Sequence, residues 1–208
     1  MKENKMKATI NGIFPTPIYQ TKLNKEFTKE EKKFIEKTKL DVYENEGNVT
    51  SNDNYILNTK PLKNIKKQLD EIIKDYFDKI ISPANNIKPY ITQSWLNYTE
   101  TNQYHHKHEH PNSLVSGVFY INCHEEHDKI KFFNNRYQTI KPEVKDWNIW
   151  NSDSWWFSVK TGDVILFPSS LTHMVEVKKG DNTRISLAFN VFIKGTVGDN
   201  KGLTELIL

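Results

Sequence analysis

The chain is poor in several residue types, and each scarcity excludes something. It holds one cysteine, Cys123, in 208 residues. No internal disulfide can form, which fits a reducing, cytoplasmic setting. No apolar run approaches the length of about 18 residues that a membrane-spanning helix needs. The N-terminal stretch MKENKMKATINGIF lacks the apolar centre of a secretory signal, so no membrane association is expected. Net charge is only +3, and the lysines are scattered rather than striped, which gives no support to a nucleic-acid partner. Arginine is nearly absent: Arg136 and Arg184 stand alone among 29 basic residues. What the chain does have is a hydrophobic content of 37% with 12% aromatic residues, enough for a real core and too much for a disordered chain.

The length suits a single domain over residues 1–208. Residues 1–89 read as an N-terminal strand with helical support, 90–198 as a β core, and 199–208 as a tail. IFPTPIYQTKL (Ile13 to Leu23) reads as a short strand with proline-bearing edges. Thr28 and Glu31 form a capping box, which predicts a helix from Thr28 to about Val42. Glu44 to Asn58 is polar and reads as a loop. A second helix is predicted from Leu62, Ile65, Leu69, Ile72, Ile73, Tyr76, Phe77 and Ile80, which recur at helical spacing. Pro61 lies in its first turn and Ser82-Pro83 ends it.

From about Tyr90 the pattern changes to short segments rich in aromatic and β-branched residues. These are YITQSWLNYT, SLVSGVFYINC, KIKFFN, WWFSVK, DVILFP, HMVEVK and TRISLAFNVFI. Turn signals such as Thr161-Gly162-Asp163 separate them. Many short strands after two helices predict a mainly β protein, a sandwich or jelly-roll barrel with helices on one side.

Four of the seven histidines fall within His105 to His110. Alternate residues of a strand share a face, so His108 and His110 are expected to point the same way, and His106 with them if the strand reaches that far. Pro111 ends regular pairing and puts the group at a strand end. Imidazole is a good ligand for iron, copper, nickel and zinc, although histidine clusters also arise on surfaces by drift. Downstream, His173 opens a strand, a polar turn at Lys178 to Asn182 suggests a hairpin, and the return strand carries Arg184 and Ser186 on one face. In a chain that otherwise uses lysine, an arginine on an inward strand face suits a carboxylate, which its planar fork grips with two parallel hydrogen bonds. Ser186 can add a hydroxyl donor. The plainer reading is that Arg184 caps a surface hairpin.

His108-Glu109-His110, then His173, then Arg184-Ile185-Ser186 resembles the motif order of iron(II)- and 2-oxoglutarate-dependent oxygenases. The wording HPNSLVSGVFYI, GDVILFPSSLTHMV and RISLAFNVFIKG, with FPTPIY near the start, is similar to a bacterial and phage branch of that prolyl-hydroxylase-like superfamily. The resemblance runs from about Ile13 to Gly198. It implies a double-stranded β-helix (jelly-roll, cupin-like) barrel and a dioxygenase that uses Fe(II), 2-oxoglutarate and O2. Such an enzyme hydroxylates a substrate and releases succinate and CO2 in the cytoplasm of a bacterium or phage-infected host. His108, His110 and His173 would bind the metal. Arg184, Ser186 and Tyr120 would bind 2-oxoglutarate. The substrate would be a peptide or small molecule, with a peptidyl side chain mildly favoured. The usual facial triad holds one carboxylate, and here that position is His110. His106, His108 and His173 are a second candidate set, and Glu109 could serve only if the strand bulges.

Two other readings stand beside the oxygenase. One is a cupin-like protein that binds metal through three histidines without 2-oxoglutarate. The other is a non-catalytic structural or interaction module with the same barrel. Trp95, Trp155 and Trp156 read as core or barrel-wall residues rather than a substrate platform. Asn97 and Asn190 could reach the cavity mouth. His105, His124 and His127 read as surface residues, and HEEHD (His124 to Asp128) as a solvated loop.

Overall fold

Two antiparallel sheets of unequal size carry the chain. A computed structural model describes residues 7–23, 25–134, 140 and 142–208; Arg136 lies outside them. The large sheet is built from β1 (Tyr19–Lys22), β2 (Val42–Asn45), β3 (Asn48–Ser51), β4 (Ile87–Thr99), β6 (Val115–Asn122), β9 (Asp163–Pro168), β11 (Arg184–Val197) and β12 (Leu206–Ile207). Its order is β1-β9-β6-β11-β4-β3-β2, with β12 on β11. The small sheet holds β5 (His105–His108), β7 (Lys129–Phe133), β8 (Ser154–Ser158) and β10 (His173–Val175), in the order β5-β10-β7-β8. The protein is thus mainly β, as expected.

Alternation along the strands gives the large sheet two different faces. One face presents Leu96, Tyr98, Phe119, Val164, Leu166, Leu187, Phe189 and Val191 to the main apolar core. Helix α1 (Lys29–Thr38) and α2 (Lys63–Tyr76) cover it. Helix α2 contributes Ile65, Leu69, Ile73 and Tyr76, all buried and spaced by three or four residues; each stabilises by roughly 1.5–3 kcal/mol on leaving water. Helix α1 starts on the predicted capping box. The Glu31 N–H donates to Thr28 Oγ1 at 3.2 Å, and the Thr28 N–H donates to Glu31 Oε2 at 2.8 Å. Gly117 marks the tightest point of this face: a methyl there would come within 2.2 Å of the Phe189 ring.

The opposite face of the large sheet turns toward the small sheet. Tyr120, Ile165 and Phe167 from the large sheet pack with Ile130 and Phe132 from the small one in a second apolar cluster. Beyond that cluster the facing residues are polar and buried: Thr50, Asn97, Thr99, Ser116, Arg184, Ser186 and Asn190. A sheet face this polar in the interior needs partners or a ligand, because an unpaired buried polar group costs about 1–3 kcal/mol.

Three expectations change. Glu44 to Asn58 is not a loop: β2 and β3 form a hairpin there, and Ile56–Asn58 makes a 3-10 turn. Its polar composition reflects an edge hairpin that faces water on one side. The first helix ends at Thr38 rather than Val42, which already belongs to β2. His173 and Arg184 do not share a hairpin. β10 pairs with β5 and β7, whereas β11 pairs with β4 and β6, so Lys178 to Asn182 carries the chain from one sheet to the other. Lys178 is buried there, and its ammonium donates to the Gly180 carbonyl and to Asn182 Oδ1. Among the described residues no helix is long and apolar enough to cross a membrane.

Candidate metal centre

The strand that bears the histidines is irregular. His173 on β10 faces His108, and Val175 faces His105, so two steps on β10 match three on β5. The extra residue is a bulge. It breaks the simple alternation and brings His105 and His108 to the same side, where their rings stack with centroids 4.6 Å apart. The His106 ring also lies 4.8 Å from that of His108, and its Nδ1 donates to the Glu46 carbonyl oxygen at 3.4 Å. His105 is therefore half-buried beside the site and not a surface residue.

His110 lies two residues past β5, where the chain swings between the sheets. The turn uses Asn112 at φ 57°, a left-handed conformation that asparagine tolerates better than most residues. The His110 N–H donates to the Ser169 carbonyl oxygen, in the loop before His173. This places the His110 ring against the other two histidines. One ligand atom each from His108, His110 and His173 lies within 4.8 Å of the others. The group His105, His106 and His108 is as close, but His106 is not in the group with His173. Glu109 is exposed and joins neither group.

Hydrogen bonds set the tautomers. His108 Nδ1 donates to the His106 carbonyl oxygen at 2.8 Å, and His173 Nδ1 donates to that of Leu171 at 3.0 Å. His110 Nδ1 donates to Asn190 Oδ1 at 2.6 Å, with Ser116 Oγ at 3.0 Å. With Nδ1 carrying the proton in each ring, each Nε2 offers a bare lone pair. His108 Nε2 and His110 Nε2 are 3.1 Å apart. Two lone pairs at that distance repel unless a cation stands between them. Protonation is opposed here. Burial first, and then the neighbouring imidazoles, push His108 down to about 4 and His173 to about 3; burial also lowers His110. Three neutral imidazoles oriented by oxygen acceptors fit a divalent ion such as iron, nickel or zinc.

The layer behind the three histidines is built from serines. Ser116 Oγ also donates to Asn190 Oδ1, and it meets Ser169 Oγ at 2.9 Å, which donates to Ser113 Oγ at 2.8 Å. Asn190 reaches this face by simple alternation along β11, and β4 carries one extra residue opposite it, between the pairs Phe189–Ser94 and Val191–Ile91. Asn190 was foreseen near the cavity; Ser116 and Ser169 were not, because nothing in HPNSLVSGVFYI or GDVILFPSSLTHMV sets them apart from the neighbouring serines.

Arg184 lies on the same face of β11, six residues before Asn190, and is 3% exposed. Its Nη2 donates to Thr99 Oγ1 at 3.1 Å, and its Nη1 lies 3.9 Å from Asp128 Oδ1. It does not cap a surface turn. Ser186 pairs across the sheet with Asn97 on one side and Tyr120 on the other, so their side chains share this face. Burial raises the Tyr120 phenol, which keeps it protonated and able to donate. Asp128, fully buried, was missed: it hides in the HEEHD run, whose other members His124, Glu125, Glu126 and His127 are all exposed.

The tryptophans also depart from expectation. Trp155 faces Phe132, which faces His173, so the three occupy one cross-strand row. Trp155 is 41% exposed and Trp156 51%, too open for core residues. Trp95 is half-buried, its ring 5.8 Å from that of His110. Two cavities elsewhere, of about 620 Å³ beside Lys22 and Phe27 and about 420 Å³ beside Tyr76 and Leu114, touch none of the histidines.

Residues 93–190 match the family described as "Putative 2OG-Fe(II) oxygenase". Comparison with curated proteins finds no match. Among solved structures, a 2OG-Fe(II) oxygenase-family oxidoreductase from Burkholderia pseudomallei is 12% identical with a TM-score of 0.54, over 77% of this chain and 76% of that one. HygX from Streptomyces hygroscopicus, solved with nickel and 2-oxoglutarate bound, is 12% identical with a TM-score of 0.57, over 85% and 82%. SnoN, a non-heme alpha ketoglutarate dependent epimerase from nogalamycin biosynthesis, is 9% identical with a TM-score of 0.59, over 85% and 78%. At these identities the likeness is one of fold. In the stretch that supplies all three histidines, Tyr120 and Arg184, the chain matches the 2OG-Fe(II) oxygenase family.

Proposed function

We propose that the protein is an iron(II)- and 2-oxoglutarate-dependent dioxygenase that hydroxylates its substrate and releases succinate and CO2. The observation that carries the reading is the set of three imidazoles whose Nδ1 atoms are tied to oxygen acceptors, leaving Nε2 of His108, His110 and His173 to converge. These three would hold the metal on one face. Arg184, with Ser186 and Tyr120 beside it, would receive the far carboxylate of 2-oxoglutarate. Iron(II) with 2-oxoglutarate and O2 supplies the oxidising power; the chain orients these groups and keeps water away.

The residues do this by simple means. Burial holds the histidines neutral at physiological pH, so the ligand atoms are free without prior loss of a proton. Tyr120 offers a phenolic O–H and Arg184 a fixed planar donor, and both favour a carboxylate over a neutral group. The absent carboxylate ligand leaves the metal site with no negative charge of its own. The negative charge of 2-oxoglutarate would then make the larger share of the neutralisation. For the substrate we favour a peptidyl side chain. Trp155, exposed on the site face one strand beyond Phe132, offers it a flat apolar landing surface at the rim. The setting would be a reducing cytoplasm, where Cys123 stays a thiol.

The test is spectroscopic. Metal-free protein is mixed with iron(II) and 2-oxoglutarate without oxygen, and the visible spectrum is recorded for the wild type, Arg184→Ala and His173→Ala. The reading expects a metal-to-ligand charge-transfer band that is lost without His173 and weakened without Arg184. Iron bound without any band would overturn it in favour of the cupin-like three-histidine protein. No metal affinity at all would favour the non-catalytic module.

A further inference from the structure

Asp128 is the most unusual charged group in the described chain. It is completely buried. Its Oδ2 accepts the His124 N–H at 2.8 Å, and its main-chain oxygen accepts the Val159 N–H at 3.0 Å. Its other oxygen, Oδ1, has no hydrogen-bond partner, although it lies 3.9 Å from Arg184 Nη1. A carboxylate built to bind an arginine structurally closes to about 2.8 Å, often with two parallel bonds. Asp128 is stopped about 1 Å short, because its second oxygen and its backbone are committed to the turn between β6 and β7.

The consequence is electrostatic. Asp128 balances the buried guanidinium, so that Arg184 is not an uncompensated charge when it has no ligand. It does so without occupying Nη1 by a hydrogen bond, which leaves that donor for another acceptor. When a ligand carboxylate takes it, two carboxylates share one guanidinium, and like charges in a poorly solvated site repel. We propose that Asp128 is a resident competitor that weakens the grip of Arg184 on the distal carboxylate of the co-substrate, a role that rests on the oxygenase reading above. A loosened grip also speeds release of a dicarboxylate product, which carries the same carboxylate to the same arginine.

The experiment compares two oxo acids that share the chelating end and differ at the far end. 2-Oxoglutarate carries the distal carboxylate and 2-oxobutyrate does not. Dissociation constants for both are measured calorimetrically on nickel-loaded protein, for the wild type and for Asp128→Asn. The asparagine has the same shape, and its amide oxygen can still accept the His124 N–H. The proposal expects 2-oxoglutarate to bind roughly tenfold more tightly to Asp128→Asn, the scale of a like charge several ångströms away after screening, with 2-oxobutyrate changed less than about twofold. Unchanged or weaker binding of 2-oxoglutarate, or an equal change for both acids, overturns it and leaves Asp128 as a scaffold of the turn. If Asp128→Asn does not fold, the wild-type ratio of the two affinities decides. A ratio below about a hundredfold fits a competed arginine; a larger one is that of an unopposed buried recognition site and overturns the proposal. Wild-type protein that holds nickel but binds neither acid overturns the co-substrate reading and this proposal with it.

Discussion

Asn190 gives the sharpest test of how the site is held. Its Oδ1 accepts the His110 Nδ1 proton at 2.6 Å and the Ser116 hydroxyl at 3.2 Å. Replacing it with alanine removes the acceptor that fixes the His110 tautomer. Ser116 Oγ, 3.0 Å from Nδ1, is the one remaining partner, and as a hydroxyl it can donate to a bare Nδ1 as readily as accept from a protonated one. The ring then populates the tautomer whose proton sits on Nε2, the nitrogen that faces His108 and can no longer bind a metal. Loss of a partner that orients a metal-binding histidine costs about 10–100-fold in metal affinity, or about 1.4–2.7 kcal/mol. The fold should lose about 1–3 kcal/mol as well, because Ser116 and His110 are left under-paired in the interior. The two effects separate by experiment. Competition of a chromophoric chelator for iron(II) or zinc(II) reads affinity, and urea denaturation of the metal-free protein reads stability. Asn190→Asp keeps an acceptor of the same shape and should restore most of the metal affinity. Wild-type affinity in Asn190→Ala would refute the argument, since it would mean that His110 is oriented by something else or is not a ligand.

Other consequences are simpler to measure. His108 and His173 titrate at about 4 and about 3 in the folded protein, against about 6.5 when unfolded. Between pH 6.5 and 4 the unfolded chain binds protons that the folded chain refuses, so the metal-free protein should lose stability on acidification through that window, by at most about 1.4 kcal/mol per pH unit for each histidine. Urea midpoints at pH 8, 6 and 5 check this; the loss should be smaller in His173→Gln, and an equal loss in that variant would count against it. At Gly117 a methyl would press on the Phe189 ring at 2.2 Å and on Leu166 at 2.6 Å. Gly117→Ala should therefore cost about 1–3 kcal/mol by overpacking, seen as a lower melting temperature. An unchanged melting temperature would show that the core face yields there.

Much of this architecture could be read from the residues, and the failures share one cause. Periodic patterns were reliable: helix α2 was given by its apolar spacing, and each strand-like segment after Tyr90 contains a strand of the structure. The site was read less well because it depends on single-residue irregularities. A bulge in β5 brings the His105 ring against that of His108. A second, in β4, lies opposite Asn190. A third lies in β6, where Ile185 faces Asn122 but Ser186 faces Tyr120, and it sets Tyr120 beside the arginine strand. No side-chain pattern announces an extra residue in a strand, since each bulge leaves the local composition unchanged and only shifts which residues share a face. Asp128 escaped for a related reason. In a run of exposed charged neighbours its burial is decided by the turn that Val159 and His124 close around it, which is a tertiary fact.

These irregularities lie in β5 of the small sheet and in β4 and β6 of the large one, close to one group of side chains. A regular sheet would have been the more stable way to pair these strands, since each bulge leaves a residue outside the hydrogen-bonded ladder. The bulges adjoin His108, Asn190 and Tyr120, while the same strands of the large sheet keep an apolar face toward the helices; such a division is what a fold shows when one surface is shaped for stability and the other for holding something. The orphan carboxylate oxygen of Asp128 and the facing lone pairs of His108 and His110 lie on that second surface, and each is a cost that a bound cation or a ligand beside Arg184 would bring into use.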